Sequence, residues 1–146
     1  MKRKKQNIKT AQQRVYCPHC GAIATIRPAS EIYRDPNATG ELYVCSNFPR
    51  CNSYVGVHPG TRLPLGVLAN GDVRNLRIKA HRRLDKIWQY GIMTRQESYA
   101  WLAAKLGIRL RDTHIGMFGE YMCKAVIREC DAVLANYEAT QGKAAS

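Results

Sequence analysis

The chain has 146 residues and a mass of 16.5 kDa, enough for one ordinary domain or two small ones. Its 23 Lys and Arg against 11 Asp and Glu give a formal net charge of +12, a surplus that favours an anionic partner, of which nucleic acid is the commonest inside cells. No apolar run approaches the roughly 20 residues of a membrane-spanning helix, so the expectation is a cytoplasmic protein without a membrane partner.

Residues 1–14 carry Lys2, Arg3, Lys4, Lys5, Lys9 and Arg14 with no acidic residue, the composition of a disordered basic arm. Such an arm either touches phosphates without sequence preference or simply keeps the chain in solution. It contains no apolar stretch of the kind found in a secretory leader.

Residues 15–58 hold four cysteines in two tight pairs, Cys17-Pro18-His19-Cys20 and Cys45 to Cys51. Each pair can offer two thiolates to one side of a tetrahedral Zn²⁺, and together they complete its shell at Zn–S distances of about 2.3 Å. Gly21 follows the first pair, where the turn asks for backbone angles that a side chain resists. The pattern predicts a ribbon around one structural zinc ion, with Cys17, Cys20, Cys45 and Cys51 as ligands. His19 and His58 are substitute ligands that four thiolates make unnecessary. Disulfides and a redox Cys-x-x-Cys are the competing readings. The second would need a βαβ setting that does not surround Cys17, and the first suits export better than a reducing cytosol.

Within this ribbon, Ala22 to Arg27 and Glu41 to Val44 read as strands, with Tyr54 to Val57 as a third. The run Asp35-Pro36-Asn37-Ala38-Thr39-Gly40 is dense in turn formers and reads as a loop tip. Residues 59–71 form an irregular connector. From Asp72 the period becomes helical, with Val73, Leu76, Ala80, Leu84 and Ile87 on one stripe. Thr94-Arg95-Gln96-Glu97 is a capping box that opens a second helix carrying Tyr99, Leu102, Ala103 and Leu106 and ending at Gly107. A third helix is expected from near Thr113, with Met122, Val126, Cys130, Val133 and Tyr137 on its apolar side, and residues 139–146 as a flexible tail. The predicted class is α+β: an N-terminal four-cysteine zinc ribbon of about three short antiparallel strands, then a three-helix domain over 72–138.

Several side chains are candidates for contact with nucleic acid. Lys79, Arg82, Arg83 and Lys86 recur on one side of the first long helix, a row able to follow a phosphate backbone. In the ribbon, Arg27, Arg34, Phe48 and Arg50 belong to a set of interleaved aromatic and basic residues of the kind that stack bases and hold phosphates. Phe48 and Arg50, inside the wide second cysteine turn, are expected to be the most exposed. His81 and Asp85, one helical turn apart, are raw material for a general base, and His114 could join them. The commoner outcome for such a pair is a structural hydrogen bond.

The turn Tyr43-Val44-Cys45-Ser46-Asn47-Phe48-Pro49-Arg50-Cys51 resembles the C-terminal zinc ribbons of type IA DNA topoisomerases, which help hold single-stranded DNA. That likeness covers about residues 15–57 and carries no cleavage activity with it. The wider chain is similar to a family of small zinc-finger-containing proteins of phages and prophages with no assigned activity. That similarity rests on residues 54–61, 64–70, the helix with His81, Asp85 and Trp88, Tyr99 to Ala103, and His114 to Phe118. The resulting expectation is a non-enzymatic protein that binds nucleic acid, DNA before RNA. Its rivals are a phage or mobile-element adaptor that docks on a host protein, and a metal-dependent nuclease using His81, Asp85 and His114.

Overall fold

The computed structural model describes residues 14–144, so the expected basic arm, apart from Arg14, lies outside the described residues. The chain divides into two compact units between Gly71 and Asp72.

The first unit is a four-stranded antiparallel sheet in sequential order: β1 (Val15–Tyr16), β2 (Ile23–Pro28), β3 (Glu41–Cys45) and β4 (Tyr54–Gly56). The sequence predicted about three strands. The fourth is the two-residue β1, which pairs Val15 with Ala24 and Tyr16 with Ile23, too short to show a period. A second addition is α1 (Ala29–Tyr33), a short helix between β2 and the run read as a loop tip. Pro28 precedes it and Arg34 ends it in the left-handed region at φ 53°, followed by Asp35, whose Oδ1 accepts the Asn37 amide at 2.9 Å.

This helix explains β3. Strand side chains alternate between faces, so a half-buried strand shows alternating polarity. Leu42, Tyr43, Val44 and Cys45 are instead buried without a break. Leu42 and Val44 pack with Ala29 of α1, while Tyr43 and Cys45 pack on the opposite face with Cys17, Ala24, Val57 and Leu68. The stretch expected as an irregular connector is tied into the same unit. Ala69 pairs with Tyr54 and Pro64 with Val57 as isolated bridges. The Gly56 carbonyl accepts the Leu65 amide at 2.8 Å, which lays the exposed Leu65 side chain over Gly56.

The second unit contains α2 (Gly71–Gln89), α3 (Arg95–Leu106) and α4 (Glu120–Ala144). Val73, Ala80, Leu84 and Ile87 of α2 are buried, as the helical stripe requires. The capping box of α3 is present in both directions: Thr94 Oγ1 accepts from the Glu97 amide at 3.1 Å, and Glu97 accepts from the Thr94 amide at 3.4 Å. Gly107 closes this helix at φ 69°, its amide reaching back to the last carbonyls.

The third long helix starts later than expected. Residues from Thr113 to Gly119 form no α-helix; Leu110–Asp112 and Ile115–Met117 are instead two short 3-10 turns. Buried Thr113 donates its hydroxyl to the Arg109 carbonyl at 2.9 Å, closing the first turn. The helix also runs on to Ala144, through residues expected as a tail. Its buried stripe is Cys123, Val126, Cys130 and Leu134, with Met122 and Val133 on the flanks. Leu84, Leu102, Ile115 and Phe118 complete one core, and Trp101 packs partly buried against it.

Leu84 is wholly buried, so Leu84→Ala should lower the unfolding free energy by about 2–5 kcal/mol. Thr94→Ala should cost about 1 kcal/mol through loss of the cap. Denaturant unfolding followed by helical circular dichroism measures both, and a Leu84→Ala cost no larger than that of the cap would contradict this packing.

Candidate metal centre and basic surfaces

Two backbone turns bring the thiols together. In the first, the Cys17 amide donates to the Ala22 carbonyl at 2.8 Å and the Gly21 amide to the Cys17 carbonyl at 2.8 Å, with Gly21 at φ 78°. In the second, the Phe48 amide donates to the Cys45 carbonyl at 2.9 Å and the Cys51 amide to the Asn47 carbonyl at 3.0 Å. Cys45 ends β3, and the β2–β3 pairing of Ala24 with Cys45 sets the second turn beside the first.

The four sulfur atoms then lie within 4.8 Å of one another. Cys17 and Cys51 are 3.7 Å apart, and Cys20 and Cys45 are 3.3 Å apart. A disulfide would need about 2.05 Å, so these are not bridges. A zinc tetrahedron with ligands at about 2.3 Å has edges of about 3.8 Å, close to what is seen. The four cysteines thus fit one zinc ion, and among the described residues they are the group of Cys, His, Asp and Glu able to hold one. The substitute ligand His19 is used elsewhere, its Nε2 accepting the Asn70 amide at 3.4 Å.

The surroundings favour thiolate unevenly. Amide donation from Ala22, helped by Cys45 and Asn47, brings Cys20 down to about 6. Cys17 is also lowered: burial opposes this, but donation from Ser53 and from the His19 and Cys20 amides outweighs it. Burial pushes Cys45 up to about 12 despite a hydrogen bond from the Asn47 amide. Two supporting side chains escaped the sequence reading. Asn47 Nδ2 reaches Cys20 Sγ at 3.5 Å, and the fully buried Ser53 lies 3.3 Å from Cys51 Sγ. Their signal was faint: short polar residues inside and just after the second turn.

The basic candidates divide. Arg27 is ion-paired with Glu31 and lies over the Phe48 ring at 5.7 Å. Phe48, expected to be exposed, is instead half-buried against Ala29, Leu42 and Val44 because α1 supplies an apolar wall. Arg34 and Arg50 are exposed. On α2, Lys79 and Arg82 are exposed and Lys86 half-buried. Arg83 is 2.9 Å from Asp131 of α4, so this position of the row is occupied by an acid distant in sequence.

Trp88 Nε1 donates to Asp85 Oδ1 at 3.1 Å. Desolvation by its neighbours pulls His81 below its ordinary value, Arg77 adds to this, and Asp85 opposes it. Among the described residues, His81, Asp85 and His114 are not gathered into a group able to hold a metal.

A family described as a zinc-finger-containing domain matches residues 13–133 of the chain. No curated protein and no solved structure matches it.

Each thiol must lose its proton to bind zinc, and Cys45 holds its proton most tightly, so zinc affinity should rise with pH and fall in acid. Competition with a chromophoric chelator at several pH values measures this; pH-independent affinity would contradict thiolate ligation. Cys17→Ser or Cys45→Ser should abolish stoichiometric zinc and the cooperative unfolding of residues 14–71, while the helices of 72–144 keep their circular dichroism.

Proposed function

Because the chain belongs to the DUF3268 zinc-finger-containing domain family, we propose that it is a zinc-dependent nucleic-acid-binding protein rather than an enzyme, with DNA ahead of RNA. The observation that carries this reading is the solvent side of α2. Lys79, Arg82 and Lys86 have no ion-pair partner among the described residues, although Arg27, Arg83, Arg109, Lys124 and Arg128 all do. Unneutralised cations on a chain of net charge +12 favour a polyanion. The three span about 10 Å of helix rise, the axial length of about three phosphates on one DNA strand.

These contacts hold a backbone and read no sequence. The exposed Arg34 and Arg50 of the first unit support the same reading, as electrostatic contacts positioned by the metal site. DNA precedes RNA on the resemblance of the Cys45–Cys51 turn to ribbons that hold single-stranded DNA. The non-enzymatic part of the reading is supported by Asp85, whose carboxylate serves Trp88.

A salt titration of duplex DNA binding by fluorescence anisotropy tests the reading. Replacing Lys79, Arg82 and Lys86 together by Gln should flatten the slope of log affinity against log salt by about 2.7, at about 0.9 per lost contact. Arg83→Gln should change the slope by less than half of one contact, because Asp131 already meets that charge. Absence of binding to any nucleic acid at low salt would overturn the proposal.

A protein partner is the second reading, favoured by three large apolar side chains at or beside the 3-10 turns: Leu110 at 58%, Met117 at 52% and Tyr121 at 79% exposure. A defined complex that survives nuclease treatment and is lost in Tyr121→Ala would support it.

A further inference from the structure

The edge of β2 is covered unevenly. β1 pairs only with Ile23 and Ala24, whereas β2 continues to Pro28. The Ile23 carbonyl accepts from the Ser46 amide, which places the Ile23 backbone groups on the β3 side. The Ala22 carbonyl accepts from the Cys17 amide, on the β1 side. Backbone groups alternate along a strand. The amide and carbonyl of Ile26 therefore face the β1 side, past the end of the β1 pairing, where no strand lies among the described residues.

A cleft of about 390 Å³ lies at this place, lined by Arg14, Ile23, Ala24, Thr25, Ile26, Tyr43 and Arg62. Two exposed arginines line it, neither of them ion-paired among the described residues. The Arg62 segment is fastened to the sheet, because the buried Tyr43 hydroxyl donates to the Arg62 carbonyl at 2.5 Å. Ile23, 46% exposed, and Thr25 give the lining an apolar and a polar part.

We propose that this cleft receives one unstacked nucleotide of a single-stranded nucleic acid, with Arg14 and Arg62 on its phosphates. The inference rests on the nucleic-acid reading above and adds to it a site in the other unit and a preference for single strands. Charge selects the class of ligand, because a flanking arginine pair matches a phosphodiester. Volume selects the form. The cleft is of small-ligand size, able to take a base but no double helix. A base enters such a cleft only when splayed from its neighbours, which a single strand allows and a duplex resists. The Ile26 amide and carbonyl supply one donor and one acceptor in line, suited to the hydrogen-bonding edge of a base.

The zinc-loaded full chain is tested with oligothymidylate carrying one 4-thiothymidine, and with a duplex of the same length. Ultraviolet cross-linking followed by peptide sequencing should place the adduct within Ile23–Ile26. Replacing Arg14 and Arg62 by Gln should flatten the single-strand salt slope by about 1.4, at about 0.7 per contact, with zinc content unchanged. Ile26→Trp, which enlarges the side chain opposite Tyr43 on the cleft face without altering charge, should weaken single-strand binding at least fivefold and spare the duplex, with zinc content unchanged. Retained single-strand binding in Ile26→Trp, or adducts mapped only outside residues 23–26, would overturn the cleft and leave the α2 reading standing. Failure to bind any single strand or duplex at low salt would overturn both.

Discussion

Four sulfur atoms within 4.8 Å of one another are the constraint on which the first unit depends. Strands of two, six, five and three residues offer little ladder and little core to hold themselves together. Nor can the thiols be ionised together without a cation, since each negative charge opposes the next. To that conflict is added an uneven start: the Ala22 amide draws Cys20 down to about 6, while burial pushes Cys45 up to about 12. One divalent ion resolves it by making all four thiolates favourable at once. Metal binding and folding of residues 14–71 are then a single equilibrium.

The second unit is held by a different kind of interaction. Leu84, Ile87, Leu102, Ile115 and Val126 form an ordinary apolar core that also takes in Cys123 and Cys130, whose thiols burial pushes up and so keeps protonated. Charge is left to the surface and is sorted there. Arg83 is drawn to Asp131, while Lys79 and Arg82 stay in solvent. Arg77 reaches inward, its Nε donating to the Phe118 carbonyl at 2.9 Å, and so anchors the irregular stretch before α4 to α2. A helix that looks uniformly basic in sequence thus uses its cations for two purposes, internal tethering and exposure.

The parts legible in the sequence were those with a local code. The two cysteine pairs, the Thr94–Glu97 capping box, the Gly107 stop and the α2 stripe each declare themselves within a few residues. What stayed hidden was set by tertiary partners. Ala29–Tyr33 is too short for a period, and it becomes a helix where Pro28 starts it and the Leu42/Val44 face needs cover. α4 starts later than expected because Thr113 spends its hydroxyl on the Arg109 carbonyl in a 3-10 turn, a bond that the sequence does not announce. Phe48 appeared exposed for the same reason that α1 was missed: its apolar wall was not visible in one dimension. Arg83 lost its place in the phosphate row to an acid 48 positions away.

β3 carries the metal ligand Cys45 on one face and the Leu42/Val44 wall of α1 on the other. The strand is thus a partition shared by two small cores. Arg34 at the end of α1, Arg50 in the second turn and the cleft beside β2 all depend on where that partition stands. If zinc is withdrawn, both cores lose their common side together. Under the proposed reading, the first unit therefore has no partly active form: its grip on nucleic acid follows the free zinc of its surroundings, and the unit works as a gauge of zinc supply as well as a clamp.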